Sequence, residues 1–135
     1  YLKEQSDDKL PVGVVGFCFG TWLLSKSSAD LNFKCAVGCH PATTLESAVF
    51  GGDEIAMLNA LRQPTLFLWA GNDSDIFVKD GEGKKALEKS GGGVEEYPDM
   101  LHGWVCRGDM SDEKVKRDVE KALTSMTSFF EKNMK

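Results

Sequence analysis

The stretch VVGFCFGTW, residues 14–22, decides how this chain is read. Two valines run into Gly16, and a cysteine follows, framed by phenylalanines and then by glycines. The surrounding segment PVGVVGF (11–17) is too brief for a helix and rich in valine, which predicts a strand buried on both faces. CFGTWLLSKSSA, directly after it, predicts a helix. A strand that reverses abruptly into a helix forces its turn residue into a strained conformation. Gly16 and Gly20 are expected to remove side chains that would collide there. This is the strand–turn–helix pattern that presents a nucleophile, with Cys18 where a serine often stands. A sulfur at a helix start lies near the positive end of the dipole and free N–H groups, which favour the thiolate. Taken alone, the pentapeptide leaves two readings equally open, a presented nucleophile and an inert cysteine in a glycine-rich turn.

Working outward, the same alternation repeats. FKCAVGC predicts a second strand, PTLFLWAG a third and VEEYP a short fourth. Helices are predicted over 53–62, where Ile55, Leu58 and Leu61 share a face and Pro64 ends the segment, and over DGEGKKALEKS. The last predicted helix carries an apolar stripe of Val115, Val119, Ala122, Leu123, Met126, Phe129 and Phe130. Its start is capped by Ser111 with Asp112 and Glu113. Strand–helix repetition implies right-handed crossovers and one α/β domain over 1–135, a mostly parallel sheet with helices on both faces.

Composition narrows the function. With 135 residues, 41% hydrophobic and 27% charged, the chain can build a core and has the make-up of a globular domain. A net charge of −5, with lysines mixed among acids, argues against nucleic acid as a partner. No apolar run is long enough for a transmembrane helix and no signal peptide opens the chain, so no membrane association is expected. The four cysteines, 18, 35, 39 and 106, are then read as reduced thiols of a cytoplasmic protein. The first residue is Tyr1 rather than Met, as in a processed product or fragment.

In parallel sheets ligands gather at the carboxyl ends of the strands. Asp73 and Asp75 lie just past the third strand in WAGNDSDIF; Asp73 is the better placed to orient a histidine, and Asp75 stays open. His102 follows the fourth strand in DMLHGWVCRGD, and His40 is a rival base. Cys18, Asp73 and His102 fall in the chain order of an α/β-hydrolase triad, a coincidence far rarer than any one of them alone.

GFCFG, AGNDSDIF and LHGWVCRGD, in this order and spacing, resemble the dienelactone hydrolase family of the α/β-hydrolase superfamily. The resemblance runs from about Val12 into the final helix. It implies hydrolysis of small-molecule esters or enol-lactones by a Cys18–Asp73–His102 triad with no cofactor. On this reading the N–H of Phe19 is an oxyanion donor, Trp104 and Phe17 are pocket walls, and Arg107 lies near the family's carboxylate-binding arginine. Family members usually carry several strands before the elbow strand, where this chain has about ten residues. The chain is therefore expected to be the C-terminal half to two-thirds of such a hydrolase, without the loop bearing the second oxyanion donor. Weak activity and self-association through an exposed first strand follow as expectations.

Two rival readings stand beside this one. Cys35, Cys39, His40, His102 and Cys106 offer zinc-ligand types, but CAVGCH and HGWVC lack the C-x-x-C knuckles of structural zinc, and no metal is expected. The other rival is a catalytically weak or inactive protein that keeps the fold for binding.

Overall fold

The apolar runs find one another in a single sheet. The structure, a computed structural model, describes residues 10–135. Strands β1 (Gly13–Phe17), β2 (Cys35–Cys39), β3 (Thr65–Ala70) and β4 (Gly93–Tyr97) pair in that order, each pair parallel. Between them lie helices α1 (Phe19–Ser27), α2 (Leu45–Ala48) and α3 (Glu54–Asn59), a 3-10 turn (Asp75–Phe77), and α4 (Glu82–Lys89). Helices α5 (Trp104–Arg107) and α6 (Glu113–Asn133) follow β4.

Alternation along the strands sorts the core into two layers. Ala36, Phe67 and Trp69 face one side, with Leu24 of α1, Leu58 of α3 and Leu87 of α4. Val37, Cys39, Leu66, Leu68 and Ala70 face the other, under Val119 and Ala122 of α6. A sheet laid down in one direction with crossovers of one hand keeps all the crossover helices on one face. That leaves the C-terminal helix to cover the other. The parallel α/β architecture expected from the alternation is thus the one adopted.

Four local expectations change. β1 is not buried on both faces: among the described residues it is paired only with β2, and Val15 is 45% exposed. α3 stops at Asn59 rather than running to 62. Pro64 disfavours helical backbone at Gln63 and so bounds the segment, and the chain turns at Ala60 while still burying Leu61. The cap of α6 is Asp112, whose Oδ1 accepts from the N–H groups of Lys114 and Val115 at 2.8 and 3.3 Å; Ser111 lies outside. Within α6, Leu123 is half exposed, off the stripe that packs on the sheet.

Candidate active site

The turn after β1 is strained as the opening pattern implies. Cys18, between β1 and α1, has φ 52° and ψ −115°, a region that non-glycine residues rarely occupy. Gly16 makes the turn possible. A Cβ there would lie 2.4 Å from the carbonyl oxygen of Gly20 and 2.7 Å from Cδ2 of Leu24. Gly20 plays no such part: a Cβ on it meets nothing within 4 Å among the described residues. The collision argument therefore holds for the first glycine and fails for the second.

The elbow is stitched to its neighbours. The Cys18 N–H donates to the carbonyl of Cys39 at 3.1 Å, joining the turn to the end of β2. The Cys18 carbonyl accepts from the Thr21 N–H at 2.9 Å and from its hydroxyl at 2.6 Å. Thr21 Oγ1 in turn accepts from the Ala42 N–H at 2.8 Å, fastening α1 to the loop beyond β2. The N–H groups of Phe19 and Gly20, in the first turn of α1, have no acceptor among the described residues.

Two strands away, the loops after β3 and β4 bring a carboxylate and an imidazole together. His102 Nδ1 lies 2.5 Å from Asp73 Oδ1. The other oxygen of Asp73 accepts from the Ala70 N–H at 2.9 Å, so the carboxylate is held at both ends. The Asp73 side chain is 1% exposed. Burial pushes its carboxyl above the usual carboxylate range, against the Ala70 N–H and His102, which favour the charged form. Asn72 anchors the histidine loop, its Oδ1 accepting from the His102 N–H at 2.6 Å. Asp75 instead begins the 3-10 turn, and of the two acids it is Asp73 whose carboxylate lies against His102.

His40, the other histidine, ends β2 on the same edge. Its ring is buried, 6.0 Å from the ring of Phe17 and 5.1 Å from that of His102, centroid to centroid. Burial, reinforced by His102 and Arg107, lowers its pKa to about 4. Among the described residues no carboxylate pairs with it. Among the described residues neither ring nitrogen has a hydrogen-bond partner.

The remaining expected site residues are less alike. Phe17 is partly exposed next to the elbow. Arg107 is exposed, and its guanidinium lies over Gly103, where φ is 93° and a Cβ would come within 2.4 Å of it. Trp104 is 3% exposed and packs on Tyr97 with ring centroids 4.6 Å apart, so most of it belongs to the core. A groove of about 290 Å³ runs past His102, Gly103 and Arg107. Among the described residues no three His, Cys, Asp or Glu side chains converge to hold a metal ion. Cys35 and Cys39 are buried in β2, and burial with Cys106 nearby pushes the Cys39 thiol up to about 12. Nor is any described helix long and apolar enough to cross a membrane.

Thr21, Asn72 and His40 had no site role in the pattern reading beyond His40 as a rival base. A buried threonine three residues after the elbow cysteine is the local signal for the first. For the other two, the partners come from distant loops, which local pattern does not reveal.

The family model described as "Dienelactone hydrolase family" matches residues 1–134. An uncharacterized AIM2 family protein of Schizosaccharomyces pombe is 27% identical over 138 residues, covering 98% of this chain and 51% of the relative. The chain spans about half the length of the curated relative it matches.

Proposed function

Since the chain belongs to the dienelactone hydrolase family, we propose that it hydrolyses activated carboxylic esters or enol-lactones through Cys18, Asp73 and His102. The observation that carries this reading is the contact of buried Asp73 with partly exposed His102, at the sheet edge where Cys18 sits on its strained turn. Asp73 fixes the tautomer of His102, leaving Nε2 to take the Cys18 proton. The thiolate attacks the ester carbonyl, forming a C–S bond. The charge that develops on the carbonyl oxygen is met by the Phe19 N–H. Collapse breaks the C–O bond, and the departing alkoxide or enolate takes the proton from His102. Water then attacks the thioester, giving its proton to His102, and the carboxylic acid leaves with the thiol restored. A thiolate is itself a good leaving group, so an activated ester suits this site better than an amide. Arg107, at the rim of the groove beside His102, is the candidate for holding an acidic substituent of the substrate.

The test compares hydrolysis of a p-nitrophenyl ester series by the protein and by Asp73→Asn. The substitution is nearly isosteric but turns the imidazole toward the wrong tautomer. Turnover should fall about 10²–10⁴-fold with folding retained. In the same samples, iodoacetamide at mildly acidic pH should label Cys18 ahead of Cys106, whose thiol desolvation pushes up despite Arg107. Unchanged turnover in Asp73→Asn would refute the triad, and no turnover by the unaltered protein, with equal, slow labelling of both cysteines, would leave a binding protein.

A further inference from the structure

His40 combines three features that a packing residue does not need. It ends β2 with φ 41°, a left-handed conformation, although the residue before a proline is driven toward extended backbone and Pro41 follows. Its side chain is 2% exposed with both nitrogens unpartnered among the described residues, a polar group buried at a cost that an apolar ring would avoid. Its ring also stands between the two halves of the site. One neighbour is Phe17, the residue before Cys18; the other is His102, met edge to face. The backbone beneath is fixed, since the His40 N–H donates to the Leu68 carbonyl at 2.8 Å. Strain kept in place by a rigid frame beside a reacting group points to function rather than to folding.

We propose that His40 is a positioning residue: its ring holds the plane of His102 so that the imidazole, tethered to Asp73, stays aimed at Cys18. This rests on the triad reading above. One hydrogen bond to Asp73 leaves the His102 ring free to pivot about that contact. A second, edge-to-face contact on the side of the elbow removes that freedom. The brace must also remain uncharged, because His102 becomes an imidazolium during each turnover and a cation beside it would oppose that step. Burial keeps His40 neutral. A pKa lowered to about 4 makes His40 a weak proton acceptor, and among the described residues no carboxylate pairs with it, so His102 is the better general base.

Three variants and one measurement on the unaltered protein test this. Asparagine tolerates left-handed backbone, so His40→Asn keeps the turn and removes the ring. Its kcat for p-nitrophenyl acetate should fall about tenfold to a hundredfold with KM nearly unchanged, as misorientation of a catalytic group demands. His40→Phe restores a flat ring and should recover most of the loss. His102→Ala should abolish turnover. In the unaltered protein, nuclear Overhauser contacts between the His40 and His102 rings should persist after Cys18 is alkylated. An unchanged kcat in His40→Asn, a loss confined to KM, no recovery in His40→Phe, or no ring-to-ring contact overturns the positioning role. Full turnover in His102→Ala overturns the triad itself, which keeps the two failures apart.

Discussion

Cys18→Ala is expected to lose about a thousandfold or more of its turnover of p-nitrophenyl acetate, with its circular dichroism and Tm unchanged. Alanine keeps a Cβ at φ 52°, so the strain of the turn is the same with and without the sulfur. The hydrogen bonds that hold the elbow run through the backbone of residue 18 and the side chain of Thr21, and all survive the change. What disappears is the atom that forms the acyl bond. The Asp73–His102 pair and the Phe19 N–H remain, and can at most assist direct attack by water, a far slower route. Cys18→Ser should fall between the two, because an alcohol oxygen is a weaker nucleophile and a poorer leaving group than a thiol sulfur. An alanine variant keeping more than a tenth of the activity would remove Cys18 from the mechanism.

The second large effect separates two glycines that look equivalent in the sequence. Gly16→Ala is expected to cost about 3 kcal/mol or more, or to prevent soluble folding, because its Cβ meets a backbone oxygen at 2.4 Å. Carbonyl groups at a strand–helix junction cannot step aside as a flexible side chain can. Opening the junction would also pull Cys18 away from the Cys39 carbonyl. Gly20→Ala should do the opposite. It lies in α1 with open space at its Cβ, and alanine in place of a helical glycine should raise stability by about 0.5–1 kcal/mol. Thermal melts of the two variants check this directly. A tolerated Gly16→Ala would mean that the elbow is not as tight as the 2.4 Å approach requires.

Much of the architecture was legible before any coordinates, for a physical reason. CAVGC and TLFLWA are central strands buried on both faces, and such strands leave uninterrupted apolar runs. The order of Cys18, Asp73 and His102 was legible too, since each lies just beyond a strand whose end could be seen. Four-residue helices such as α2 and α5 are shorter than the period that reveals a helix, and they passed unseen. The cap at Asp112 turned on which of two adjacent acceptors reaches the free N–H groups, a question of geometry. Trp104 shows the same limit. Its position after His102 suggested a pocket wall, and it does line the groove beside His102, but its packing on Tyr97 of β4 depends on a neighbouring strand that local pattern does not reveal. His40 was visible as a histidine at a strand end, but its strain and its contact with His102 arise only when β2, the elbow and the loop after β4 come together.

The central claim is covalent catalysis by Cys18, and one measurement reaches it most directly. The protein is mixed with p-nitrophenyl acetate, quenched in acid within the first turnovers, digested, and mapped by mass spectrometry. A single acetyl group should appear on the peptide carrying Cys18, on its sulfur, and vanish as turnover completes. It should accumulate further in His102→Ala if any acylation occurs there, because deacylation needs the same base. An acetyl group found only on Cys106 or on lysines, or none at all while p-nitrophenol is released, would contradict the account.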